Sequence, residues 1–286
     1  NQGGYLVNPK TFVVSLNDTD NLDHLLTTCS SLAEHHGAHV IGVYIIPSVE
    51  VYAVYGGIAM ADVVDAQRRR YQAMSKDVRE KFEHRMGLSS LSHEWRELDA
   101  MSSSIGREFA QQCRFADLGV IAQVDSNESC GVEPSFAEYV VMEAGRPVLL
   151  VPRGKSFETI GNKVLMGWNG SKEAARACFD ALPLLSADSD IDIVWVDPQK
   201  ERALAGNVPG AELATTLARH DLKITAEPMP TSDTDAGRAL LTHVGDVGAD
   251  LLVMGAYGHS RVREFVFGGA TEHVLNNMTV PVLMSH

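Results

Sequence analysis

Four short apolar blocks occur twice along this 286-residue chain, each time in the same order. In the first half they are TFVVSLNDT (11–19), HVIGVYIIP (39–47), FADLGVIAQ (115–123) and RPVLLVP (146–152). In the second half they are KVLMGWNGS (163–171), DIDIVWVDP (190–198), GADLLVMGA (248–256) and VPVLMSH (280–286). The sequence distance between corresponding blocks is typical of a duplicated domain, because the repeats of solenoid proteins are far shorter. We predict domains at 8–152 and 162–286, joined by the polar segment RGKSFETIG (153–161).

The repeated blocks predict parallel strands, because VLMGW, IDIVWV, DLLVM and VPVLM are apolar nearly throughout and do not alternate. Helical patterns separate them, such as SKEAARACFDALPLL, with Ser171 as its N-cap. This alternation predicts a doubly wound α/β sheet in each half. In the second half we predict strands at about 163–168, 191–196, 222–228, 250–255 and 280–284, and in the first half a long helix at about 60–86.

Composition excludes several classes of protein. The net charge of −13 argues against an extended nucleic-acid surface, which needs a basic face. No apolar run reaches the ~20 residues of a membrane span and no signal-peptide pattern is present, so we expect a cytoplasmic protein without a membrane partner. The four cysteines form no Cys-x-x-Cys pair and show no metal-ligand spacing, which favours reduced thiols and no metal site.

The segment GAYGHSRVREFVFGG (255–269) directly follows the apolar run LLVM. Ligands of open α/β sheets bind at the carboxyl ends of the strands, where Gly255 lies. Gly255 and Gly258 can take positive φ and let backbone approach a ligand. Gly268 and Gly269 stand where the last helix begins, and the free N–H groups of a helix N-terminus bind phosphate. His259 lies between the two pairs of glycines and could add a donor. The alternative to a ligand site is that the glycines serve only tight turns and a helix cap.

In the spacing of these glycines, the second half resembles the nucleotide-binding subgroup of the universal stress protein family. The whole chain resembles the tandem members of that family. That subgroup is marked by Gly, two residues, Gly, nine residues, Gly and then Ser or Thr. Gly255, Gly258 and Gly268 match, whereas Gly269 departs by lacking the hydroxyl that contacts phosphate. The family's first strand ends in Asp; here Asn169 stands in its place and can still hydrogen-bond to ribose or phosphate.

The resemblance implies that each half is a five-stranded, mostly parallel sheet of order 3-2-1-4-5 with helices on both faces. It also implies an internal pseudo-dimer formed by the closing strands RPVLLV and VPVLMS; a homodimer of whole chains and other protein partners stay open. The implied cofactor is ATP, with or without Mg²⁺, although ADP, AMP and cyclic nucleotides are alternatives. Beyond the glycines, the implied contacts are Asn169, Val196 at the adenine, His259, Ala270 and Thr271. Trp168 and Trp195 are either core residues or a border of this pocket.

The first half has no such glycine pattern, since it reads AQVDSNESCGVEPSFAEYV (122–140) at the corresponding place. Asp125, Glu128 and Glu133 would repel a polyphosphate there. We therefore predict that the first half keeps the fold and has a degenerate nucleotide site.

Three functions are compatible with these patterns. The favoured one is a stress-response protein that binds an adenine nucleotide and acts by binding or switching. The second is a non-nucleotide interaction or small-molecule-binding module, for which Asn169 and Gly269 would mark lost nucleotide affinity. The third is an enzyme of the wider α/β group, but no nucleophile elbow, P-loop or localised carboxylate pair is present. We predict no dedicated catalysis and at most slow, incidental ATP hydrolysis.

Overall fold

A computed structural model describes residues 8–48, 59–101, 103–124, 132–196, 210–229, 235–257 and 269–286. The strands in these ranges are β1 Thr11–Ser15, β2 His39–Ile46, β3 His93–Asp99, β4 Leu118–Ala122, β5 Val148–Val151, β6 Lys163–Trp168, β7 Asp190–Val196, β8 Lys223–Met229, β9 Leu251–Gly255 and β10 Val282–Ser285. The helices there are α1 Leu22–His36, α2 Ala59–Leu88, α3 Ile105–Cys113, α4 Phe136–Glu143, α5 Lys172–Ala181, α6 Ala211–Ala218, α7 Ala236–Val247 and α8 Gly269–Asn277.

All ten of these strands belong to one sheet, in the order β3-β2-β1-β4-β5-β10-β9-β6-β7-β8. Within each half the strands are parallel and follow the order 3-2-1-4-5, which confirms the expectation. The halves meet where β5 and β10 pair antiparallel, with Leu149 opposite Leu283. The expected pairing of the closing strands is therefore confirmed. It makes one continuous sheet whose two halves are related by a pseudo-twofold axis.

Helices cover both faces of this sheet, as expected for a doubly wound fold. Helices α1, α2, α5 and α6 pack on one face, and α3, α4, α7 and α8 pack on the other. The strands are buried on both sides: Val13 faces one helical layer, Val14 faces the other, and both are 0% exposed. The nearly continuous apolar runs of the sequence follow from this double burial.

Local sequence signals set several element boundaries. Ser104 and Ser171 accept hydrogen bonds from the first turns of α3 and α5, and Gly37 ends α1 in the left-handed conformation. Strand β10 begins at Val282, two residues later than predicted, after Pro281, which has no N–H to donate to a ladder. Within the described ranges no helix is both long enough and apolar enough to cross a bilayer.

Candidate functional site

Three helices of the second half begin at the carboxyl edge of its strands. Helix α5 follows β6, α7 follows β8 and α8 follows β9. Glycines hold these helix starts close to their neighbours: Gly255 lies against the first turn of α5, and Gly237 lies against the first turn of α8. Each helix start carries free N–H donors and a partial positive charge. The starts of α7 and α8 therefore offer adjacent donors to an anionic ligand.

Asn169 starts the turn that leads from β6 into α5. Its Oδ1 accepts a hydrogen bond from the Ser171 N–H at 3.1 Å, and Gly170 between them has φ +76°. The Ser171 hydroxyl in turn accepts from the Ala174 N–H at 3.1 Å and caps α5. Because Asn169 is only half-buried, its amide stays accessible at the edge.

Gly255 does not take the positive φ that is open to a glycine, and its φ lies outside the left-handed region. A Cβ on Gly255 would lie 2.3 Å from the Ala174 nitrogen and 2.4 Å from the Glu173 carbonyl carbon. The first turn of α5 packs directly on the end of β9, so no side chain fits there. The positive φ occurs instead at Tyr257, at +55°.

Gly269 is exposed and opens α8, as the sequence predicted. A Cβ on Gly269 would lie 3.6 Å from Oδ1 of Asp235, the residue before α7. Ala270 is half-buried, and the Thr271 side chain is buried at 5% exposure.

Part of the predicted site lies outside the described residues. This holds for Gly258, His259 and Gly268. Val196 ends β7 with its backbone paired to Met229, and its side chain also lies outside the description.

The two tryptophans at this edge contact each other. Trp168 and Trp195 are register partners on β6 and β7, and their rings meet edge to face at 6.3 Å. Trp195 is 3% exposed and belongs to the core, whereas Trp168 is half-buried.

In the first half, the counterpart of Asn169 has a structural task. Asn17 is 2% exposed; its Nδ2 donates to the Ile45 carbonyl at 2.6 Å, and its Oδ1 accepts from the Ile45 N–H at 3.0 Å. In the aligned blocks Ile45 corresponds to Val196. The first half therefore uses its asparagine to tie β1 to β2, and both backbone groups of Ile45 are engaged internally.

Two other polar residues at this edge of the first half serve internal contacts. Glu133, expected to repel phosphate, accepts a hydrogen bond from the Ile105 N–H at 3.0 Å and so sits at the start of α3. Asp125 and Glu128 lie outside the described residues. Gln123 donates to the Leu275 carbonyl of α8 at 2.8 Å and accepts from the Arg153 N–H at 3.2 Å. Sequence reasoning missed this link between the halves; its one signal is the glutamine where the second half has alanine.

A cleft of about 670 Å³ lies beside Gln123, at the seam between the halves. It is lined by residues of both halves, among them Gln123, Ser135, Glu138, Arg153, Glu272 and Asn276. Across the described ranges, no three His, Cys, Asp or Glu side chains are grouped to hold a metal ion. Cys29, Cys113 and Cys178 are free and buried, and burial raises the pKa of each thiol to about 12.

Comparisons with known proteins agree with this architecture. A model of the universal stress protein family matches residues 162–286. The universal stress protein Slr1230 of Synechocystis sp. is 35% identical over 149 residues, which are 51% of this chain and 49% of that protein. The match thus spans about half the length of that relative.

Two solved structures resemble the chain over nearly its full length. The universal stress protein from Archaeoglobus fulgidus has a TM-score of 0.72 at 14% identity, covering 96% of this chain and 95% of that one. A functionally unknown protein from Pseudomonas aeruginosa has a TM-score of 0.58 at 14% identity, covering 97% and 92%. At these identities the likeness shows the fold alone. The second half, residues 162–286, is therefore a domain of the universal stress protein family, and the first half repeats the same fold.

Proposed function

We propose that the second half binds an adenine nucleotide, ATP in the first place, at the carboxyl edge of its strands. The observation that carries this proposal is the contact between the starts of α7 and α8 at that edge, combined with the spacing of Gly255, Gly258 and Gly268. Helix N-termini are ready-made phosphate sites, and the exposed Gly269 leaves the start of α8 open to a ligand.

Each proposed contact has a chemical role. Asn169 would hydrogen-bond to ribose or phosphate, and Val196 would pack on adenine. Backbone N–H groups at the glycines and at the α8 residues Ala270 and Thr271 would hold the phosphates, with His259 as a further donor. We propose that the protein acts in the stress response by binding or switching, since the described residues supply no dedicated catalytic set.

The test is mass spectrometry of small molecules released from the purified, denatured protein, followed by calorimetric titration with ATP. Gly268→Asp places a carboxylate in the proposed cradle and should abolish binding. Ser135→Asp is the matched control, because it adds the same charge just before α4, the first-half counterpart of α8. The proposal fails if wild type binds no adenine nucleotide or if both variants bind it equally well.

The seam cleft favours a second candidate function, the binding of a different small molecule. Its volume of about 670 Å³ falls within the usual range for ligand pockets. Ser135 lines this cleft, so the same two variants separate the candidates. A molecule that still binds to the Gly268→Asp variant but no longer binds to the Ser135→Asp variant would belong to the cleft.

A further inference from the structure

Asp235 precedes α7 but does not cap it, because its side chain makes no capping hydrogen bond to that helix. The carboxylate lies instead beside the start of α8. One oxygen is 3.6 Å from the position that a Gly269 Cβ would take, and the other is 3.7 Å from Nδ1 of His273.

Close packing fixes the starts of α7 and α8 beside each other. A Cβ on Gly237 would lie 2.5 Å from the Ala270 carbonyl oxygen and 3.0 Å from the Ala270 Cα, so the starts of α7 and α8 are in direct backbone contact. The Asp235 side chain is 41% exposed. Since Gly269 has no side chain to cover it, the carboxylate stays open to a ligand at the start of α8.

We infer that Asp235 decides which charge state of a nucleotide the second half accepts, an inference that rests on the proposed function. The start of α8 contributes roughly half a positive charge, and the carboxylate beside it carries a full negative charge. The carboxylate therefore opposes the attraction that a phosphate meets at the Gly269 N–H. Metal-free ATP is disfavoured, whereas ATP complexed with a divalent cation, or a nucleotide with a single phosphate, meets less repulsion.

The experiment is calorimetric titration of full-length protein with ATP and with AMP, each in Mg²⁺ and in EDTA, at low ionic strength. Asp235→Asn keeps the shape of the side chain and removes the charge. Asp246→Asn is the matched control, because Asp246 is an exposed acid near the other end of α7. Thermal unfolding of all three proteins verifies that they are equally folded.

For metal-free ATP we expect Asp235→Asn to tighten binding about tenfold, and for AMP about threefold or less, because ATP brings more charge to the same carboxylate. Asp246→Asn should change either affinity less than about twofold, and the gain from Asp235→Asn should shrink as salt is raised. Mg²⁺ should also reduce the difference between wild type and Asp235→Asn.

Equal effects of the two variants, or weaker ATP binding by Asp235→Asn, would overturn the role of Asp235 while leaving nucleotide binding intact. If none of the three proteins binds ATP or AMP in either condition, the proposed function itself fails and the inference fails with it.

Discussion

Replacing Gly255 by alanine should destabilise the second half, because the new methyl group has no room. Its Cβ would lie 2.3 Å from the Ala174 nitrogen and 2.8 Å from the Ala174 Cα. Ordinary contacts begin near 3.4 Å, so the first turn of α5 has to move away from β9 by about 1 Å.

The cost follows from how α5 packs. Apart from Glu173, its buried side chains are small, so the helix axis lies close to the sheet; these residues are Ala174, Ala177, Cys178 and Ala181, all at most 2% exposed. Overpacking costs typically ~1–3 kcal/mol. The clash at Gly255 is with backbone, which no side-chain rotation relieves, so we expect a loss of about 3 kcal/mol, at the upper end of that range.

The assay is urea unfolding followed by tryptophan fluorescence, which Trp168 and Trp195 provide in the second half. Gly269→Ala is the control at another glycine of the predicted cradle. There the nearest atom to a new Cβ is 3.6 Å away, and alanine favours a helix by up to ~1 kcal/mol, so stability should be unchanged or slightly higher. Equal midpoints for Gly255→Ala and wild type would refute the direct packing of α5 on β9.

Three further outcomes are expected. Asn17→Ala should cost about 3 kcal/mol in urea unfolding, because both backbone groups of Ile45 lose their partner, whereas Asn169→Ala should cost about 1 kcal/mol or less; similar costs would contradict the different roles of the two asparagines. Gln123→Ala should cost about 2 kcal/mol and speed hydrogen exchange near the end of α8, and unchanged exchange there would count against the link to Leu275. Burial lowers the pKa of His36 to about 4 in the folded protein, with a smaller contribution from His35. The His36 imidazole therefore binds a proton more readily in the unfolded chain than in the folded protein. Stability present above pH 6.5 should then be lost as pH falls towards 4, by about 3 kcal/mol relative to His36→Gln; parallel pH profiles for the two proteins would show that His36 titrates normally.

Much of the fold could be predicted from the sequence, because its signals are local. The repeated apolar runs marked the strands, amphipathic periodicity and Ser171 marked α5, and the family resemblance supplied the strand order and the pairing of β5 with β10. Of the candidate site, the position of Asn169 after β6 and of Gly269 at the start of α8 were also predicted correctly.

What only the tertiary structure decided concerns pairs of residues that are distant in sequence. The sequence shows a glycine at position 255 but not why a side chain is excluded there. The cause is the backbone of α5, which contacts the end of β9 only once the two elements are packed. Gln123 and Leu275 are 152 residues apart, and Asp235 meets Gly269 only because Gly237 brings two helix starts together. Periodicity and capping depend on residues within one helix or strand, so they can be read from the sequence. The partner that a side chain contacts in another element depends on how the elements pack.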